Sequence, residues 1–263
     1  MAQYHPRYAD RAGRAVAGYA AAAYLLFLAV LVYSIGFFAD RGVPKGIDGG
    51  TTRPTAAAVV VDLLLLGLFA VQHTVMARPR YKRWWARVAA PAAERATFVV
   101  ASSLTLVLLF WLWEPIPTRI WHLSGLPAGL LLAGYLAGWA LAVTATFQID
   151  HADLFGLRQA WHRLRGTTYR PAAFTRDGLH RHVRHPLMTG FLVVFWLAST
   201  MTAGHLLFAA VATGYILIGT SFEERDLQRH FGEDYRRYRA EVPALLPVRL
   251  RPRRPAPVAG TRG

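Results

Sequence analysis

The chain contains no cysteine. That excludes a disulfide framework, a thiolate metal centre and a cysteine nucleophile. It has no G-x-G-x-x-G or Walker pattern, so the soluble nucleotide folds are not indicated. No serine-nucleophile motif occurs either. Acidic residues are scarce: 15 Asp and Glu stand against 30 Lys and Arg, a formal net charge of +15. Such an excess can mark a nucleic-acid binder. Here the basic residues lie between apolar blocks, so no nucleic-acid partner is expected. A cleavable signal is not expected, because residues 1–10 are polar and the first apolar block lacks a small-residue cleavage pattern. No internal repeat is evident.

What the chain does have is long apolar runs. Apolar residues make up 54% of its 263 positions, and they come in blocks rather than in a period-2 or period-3.6 stripe. That pattern belongs to a membrane protein. The blocks 15–38, 55–77, 96–113 and 127–149 each approach the roughly 20 residues that a crossing needs. Block 187–222 is too long for one crossing. It divides near Thr202, Ala203 and Gly204 into two short arms, a helical hairpin. The expected fold is all-α: a polytopic membrane helix bundle with a C-terminal helical hairpin and a cytoplasmic tail helix. Residues 1–248 read as one membrane domain. Within it, 223–238 is helix-compatible, and Pro243 and Pro247 stop it. Residues 249–263 are rich in Pro, Arg and Gly and read as a disordered basic tail able to touch anionic lipid.

Loop charge orients the bundle. Loop 78–95 carries Arg78, Arg80, Lys82, Arg83, Arg87 and Arg95, and loop 150–186 and the tail are also Arg-rich. Loop 114–126 has only Glu114 and Arg119, and the hairpin tip has no charge. Basic segments on alternate connections put both termini in the cytoplasm. Trp84, Trp85, Trp111, Trp113 and Trp121 fall near span ends, where amphipathic rings prefer to sit.

The polar clusters carry the functional expectation. A helical hairpin returns its ends to one side, so His185-Pro186 should face Glu223-Glu224. The acid pair is either a solvated interfacial pair or an acceptor for a cationic group such as an ammonium. His180, His182 and His185 lie close in sequence, but H-x-H with Pro directly after His185 defines no known ligand spacing, so no metal is expected. Asp150, His151 and Asp153 follow the fourth span. A helix C-terminus favours His over Asp, so the acids there suggest a polar pocket. Inside the second span, Gln72 and His73 suit hydrogen bonding between helices. A direct role for His73 or for Asp62 stays open.

Arg184-His185-Pro186, the hairpin, Glu223-Glu224 and the stretch from Phe231 through Tyr238 to Pro243 resemble the C-terminal core of integral-membrane methyltransferases. Isoprenylcysteine carboxyl methyltransferase and phospholipid methyltransferases share that core. The N-terminal half, through His73-Thr74-Val75-Met76-Ala77-Arg78-Pro79 and Glu94-Arg95-Ala96-Thr97, looks like the NnrU-type branch. With Asp153-Leu154-Phe155-Gly156-Leu157-Arg158-Gln159, the whole chain is similar to the bacterial methanethiol S-methyltransferases. One departure is Met188, where the wider family often has Tyr.

The resemblance implies methyl transfer from S-adenosylmethionine to a small thiol, methanethiol giving dimethyl sulfide, in the bacterial inner membrane. It implies a cofactor site bordered by His185 and Pro186, with Gly190 allowing close approach. Glu223 or Glu224 would accept the methionyl ammonium, and Tyr235 would help close the site. The thiol must lose its proton, since thiolate is the better nucleophile. His151 is the candidate base, and Arg158 the candidate cation that favours thiolate. Membrane lipid is the second expected partner. The alternatives are methylation of a prenylcysteine carboxylate or phospholipid amine, a non-catalytic NnrU-like membrane accessory or transporter, or a His-ligated metal or haem carrier.

Overall fold

A computed structural model describes residues 11–171 and 175–247. The expected basic tail at 249–263 lies outside the described residues. Among the described residues ten α-helices follow in order: α1 (Arg11–Ala39), α2 (Thr55–Ala77), α3 (Pro79–Val88), α4 (Glu94–Leu112), α5 (Gly125–Ile149), α6 (His151–Leu154), α7 (Leu157–Arg165), α8 (Pro186–Trp196), α9 (Ala203–Phe231) and α10 (Glu233–Glu241). Two short strands, β1 (Arg119–His122) and β2 (Thr200–Thr202), pair antiparallel. The chain is an all-α polytopic helix bundle.

Among the described residues five helices are long and apolar enough to cross a bilayer: α1, α2, α4 with its preceding turn, α5 and α9. Their outward faces are apolar and bare. Leu64 is 68% exposed and Leu126 76% exposed. Bare leucines at this density would drive aggregation in water, and lipid is the solvent that suits them. The protein is an integral membrane protein.

The hairpin is lopsided. Helix α8 has 11 residues, about 16 Å of rise, which is half a hydrocarbon core. The chain after it is extended and stitched to the segment that follows α4. Trp121 Nε1 donates to Ala198 O at 3.1 Å, Leu123 N to Ser199 O at 2.8 Å, and Ala203 N to Thr118 O at 2.8 Å. Backbone at membrane depth must satisfy its polar groups within the protein, and this pairing does so. Thr202 then caps α9, accepting from His205 N at 3.1 Å while donating to Asp48 Oδ1 at 2.5 Å.

The second arm runs further than its apolar run suggested. Helix α9 continues past Phe222 to Phe231, so Glu223 and Glu224 lie within it rather than at its end. Nothing in 223–231 breaks a helix. Gly232, with φ +56, ends it, and this divides the stretch expected as one tail helix into the end of α9 and the separate α10.

Two clusters form the core. Phe37, Phe38, Phe110, Trp113, Phe195 and Phe208 pack at the β1–β2 end. Ala20, Ala23, Met76, Ala96, Phe98 and Phe155 pack at the other. That second end collects the start of α1, the end of α2, the start of α4 and the end of α5. Arg78 lies 3.9 Å from Asp226, so the end of α9 joins them. The intramembrane polar residues bind helices together. Asp62 Oδ1 accepts from Glu114 N at 2.9 Å, and His73 Nδ1 lies 3.2 Å from Ser102 Oγ. Thr105 Oγ1 donates to Gln72 Oε1 at 3.3 Å.

Candidate functional site

Helices α5 and α8 run antiparallel in close contact because both present glycine. A Cβ on Gly190 would lie 2.7 Å from Ala142 N and from Gly138 O. One on Gly138 would lie 2.8 Å from Val193 Cγ1. The close approach that Gly190 permits is therefore to α5 itself, not to a cofactor. Carrying this register one further turn sets the Thr146 level of α5 opposite the Pro186 level of α8.

At that level His185 caps α8, and Pro186 occupies the first helical position, where its missing N–H costs nothing. His185 faces both glutamates. Its Nε2 lies 3.2 Å from Glu224 Oε1 and its Nδ1 3.5 Å from Glu223 Oε2. Thus the hairpin does bring the His-Pro corner and the acid pair together.

The two acids are not equivalent. The Glu224 side chain is 10% exposed. Arg184 holds it at 2.7 Å through Nε, and Arg239 Nε stands 3.4 Å from its other oxygen. Its charge is already met. The Glu223 side chain is 55% exposed and touches only the His185 ring among the ion pairs of the described residues. Glu223 is the carboxylate with room for an incoming cation.

The chain beyond α10 completes this corner, which sequence reading missed. Arg184 N donates to Pro243 O at 2.9 Å and His185 N to Ala244 O at 3.0 Å. Thr189 Oγ1 donates to Leu245 O at 2.6 Å, and Arg184 also reaches Val242 O. Pro243 was legible as a helix stop. That the residues after it fold back as an extended clamp had no local signal. Tyr235 and Tyr238 sit beneath, both buried, ring to ring at 5.9 Å. Burial, and secondarily the Glu224 charge, pushes the Tyr235 phenol up to about 12, so it stays neutral. Tyr238 donates to His180 O at 2.7 Å. Burial lowers the His180 pKa, and the nearby His185 adds to the shift. His180 is buried near His185, whereas His182 is exposed.

The His151 patch occupies the same end of the α5–α8 pair. Asp150 ends α5 with φ +117 and caps α6, accepting from Asp153 N at 3.0 Å. That geometry explains an acid at a helix C-terminus: it serves the next helix. His151 stacks on Phe147 with centroids 4.2 Å apart. Its Nδ1 is 2.7 Å from Thr146 Oγ1, and its Nε2 is 2.8 Å from Tyr24 Oη. The Thr146 hydroxyl donates its proton to Val143 O, so it can only accept from His151. The ring therefore carries its proton on Nδ1, and Nε2 accepts from Tyr24. Burial lowers the His151 pKa, so it is neutral at pH 7. Arg158, the candidate cation, is paired to the Asp150 carboxylate. Tyr24, 127 residues away in sequence, gave no local clue to its place here.

A second polar region borders this patch. A cavity of about 710 Å³ is lined by Glu94, Arg95, Ile149, Asp153, Gln159 and Tyr169, among others. Arg95 Nε donates to Leu154 O at 2.7 Å, and Tyr169 donates to Asp153 Oδ1 at 2.7 Å. Burial, with the Asp153 contact, pushes the Tyr169 phenol up to about 12.

Over 250 residues the chain is 48% identical to methanethiol S-methyltransferase 2 of Bradyrhizobium diazoefficiens, covering 93% of this chain and 96% of that protein. The chain belongs to the methanethiol S-methyltransferase family. The family member from Mycobacterium tuberculosis is 51% identical over 231 residues, covering 87% of this chain and 94% of that protein. Human Nurim is 29% identical over 208 residues, covering 74% and 79%. No family model matches, and no solved structure matches. The family's membership agrees with the first-half and mid-chain motifs. Two of them, the one at Glu94-Arg95 and the one at Asp153-Leu154-Gln159, line one cavity.

Proposed function

We propose that the protein transfers a methyl group from S-adenosylmethionine to methanethiol, releasing dimethyl sulfide. The observation that carries this reading is the meeting of His185-Pro186 with an acid pair of which one member, Glu223, is left accessible. Membership of a family whose named relatives are methanethiol S-methyltransferases supports the acceptor. The protein sits in the bacterial inner membrane with both termini cytoplasmic, as the loop charges indicate.

S-adenosylmethionine supplies a methyl group on a positively charged sulfur. The residues here suit its polar end. Glu223 accepts the ammonium, and His185 and Pro186 form the wall beside it. Tyr235, neutral and buried, fixes α10 under the corner. Glu224 does not take the ligand. It locks Arg184, Arg239 and His185 in place, and rigid supports of this kind keep reacting groups in a near-attack geometry.

Deprotonation of the thiol falls to the His151 patch. His151 is neutral, and its Nε2 lone pair faces Tyr24 Oη. A thiol S–H can pass its proton to the Tyr24 oxygen as Tyr24 passes its own to Nε2, leaving thiolate and imidazolium. Simple thiols have a pKa of about 8.5 or above, so a local base raises the reactive fraction at neutral pH. Arg158 acts through Asp150, holding the turn that presents His151. A small thiol reaches this depth through the bilayer, and charge neutralisation on reaction suits a dry site.

The test is direct. Detergent-purified protein is incubated with labelled S-adenosylmethionine and a panel of thiols, and volatile product is measured. Labelled dimethyl sulfide is expected. Label confined to prenylcysteine or lipid acceptors would replace methanethiol as the substrate.

A further inference from the structure

Helix α7 packs on the start of α1 with only part of its apolar side covered. Ala20 of α1 and Ala160 of α7 are buried in one cluster, and Leu157 packs against it. The next residue, Trp161, is 52% exposed. A groove of about 370 Å³ runs along this contact, lined by Ala17, Ala20, Ala152, Leu157, Ala160 and Trp161. Its volume falls within the range of small-molecule sites, about 300–1,000 Å³. The other lining residue is Arg158, whose charge is met by Asp150. Short methyl side chains leave the groove open, and its walls offer an alkyl chain contact rather than hydrogen bonds.

One end of the groove is cationic. The Arg165 guanidinium lies 4.4 Å from the centre of the Trp161 ring. Arg14, also exposed, stands three residues before Ala17, on the same side of α1. Neither α1 nor α7 carries an acid. Because α1 crosses the bilayer, the end that carries Arg14 lies at a membrane surface. Indole rings prefer that level, and basic residues there attract anionic headgroups. Apolar groove, ring and cations thus follow the order of a phospholipid, with its chain, its interface and its phosphate.

We propose that the α1–α7 groove binds one anionic phospholipid, with an acyl chain along Ala17, Ala20 and Ala152 and the phosphate held by Arg165 and Arg14. A soluble anion would leave the alanine floor bare. A zwitterionic lipid would bring no net charge to the two arginines. The ligand also touches the chemistry indirectly. Ala152 and Leu157 belong to the α6–α7 segment that carries His151, so a bound lipid braces the turn that presents it.

The test uses full-length protein in detergent, washed free of lipid. It is titrated with phosphatidylglycerol or with phosphatidylcholine of the same chains, and bound lipid is read by native mass spectrometry. One saturable phosphatidylglycerol is expected, bound more tightly than phosphatidylcholine. Arg165→Gln is expected to weaken phosphatidylglycerol about fivefold, the value of one basic residue near an anionic surface, and to leave phosphatidylcholine unchanged. Ala17→Leu fills the groove and is expected to weaken both lipids. Should Ala17→Leu fail to fold, Trp161→Ala, at an exposed position, removes the groove's outer wall with the same expected loss. Phosphatidylglycerol is also expected to raise the melting temperature of wild type but not of these groove variants. Wild-type affinities in a folded groove variant overturn the site, and so does phosphatidylglycerol binding indifferent to Arg165→Gln. Dihexanoyl phosphatidylglycerol, with the same headgroup on short chains, is expected to bind more weakly. Equal binding, or displacement of the long-chain lipid by inorganic phosphate, would reduce the site to an anion contact and overturn the proposal as well.

Discussion

Glu223 and Glu224 are adjacent in the chain but differ in their surroundings, and their substitutions should separate accordingly. Glu223→Gln removes an accessible charge. It is expected to leave the thermal transition near wild type and to raise KM for S-adenosylmethionine by about tenfold, the value of one charge-assisted contact. Glu224→Gln strips the partner from Arg184, a guanidinium only 8% exposed. Breaking a buried pair typically costs on the order of 3 kcal/mol, so a clear drop in melting temperature is expected in detergent. The pair as a unit was legible in the sequence; which member is free was not, because that depends on Arg239, supplied by another helix. His151 offers a pH test. Its folded pKa lies below the usual 6.5, so the neutral, proton-accepting form persists at pH 7 and is lost only as pH falls through that lowered value. kcat/KM should drop on that acid limb in wild type. In His151→Ala the limb should vanish and turnover at saturating thiol should fall. Unchanged turnover would remove His151 as the base.

Among the elements, the α5–α8 contact positions everything at this end. Gly190→Ala forces a methyl against the Ala142 and Gly138 backbone, where nothing flexible can yield. Overpacking of this sort costs about 1–3 kcal/mol. A lower melting temperature is therefore expected, with the loss of activity following from the displaced His185. The apolar blocks made the long helices readable, because each spans a bilayer by itself. Where α8 stops was not readable, since Leu197-Ala198 carries the apolar run past it before Ser199 and Thr200. Only the pairing with the 116–123 segment reveals that the chain after α8 runs extended. The tail beyond α10 was likewise hidden. A chain truncated after Val242 loses the Pro243, Ala244 and Leu245 acceptors, and it is expected to lose donor binding while keeping its helical circular dichroism.

The whole molecule has two unlike ends. One gathers the basic loops, the His-Pro corner, the His151 patch and the polar cavity. The other is sealed by aromatic packing and the β1–β2 pair. Because the chain lacks cysteine, single cysteines can report orientation in intact cells. One at exposed Arg229 should resist an impermeant thiol reagent until the cells are opened, whereas one at exposed His122 should react at once. The fold class was legible because lipid demands long apolar helices, and so was the meeting of His185 with the acid pair; the places of Tyr24 and of the 243–245 clamp were not, because only tertiary packing brings residues 24 and 244 to this end. The most direct measurement is headspace analysis of purified protein supplied with methyl-labelled S-adenosylmethionine and methanethiol, wild type beside Glu223→Gln. Labelled dimethyl sulfide from wild type, restored in the variant only at raised donor concentration, is the expected result. No labelled volatile from folded wild type, or a variant indifferent to donor concentration, would contradict a donor held between His185 and Glu223.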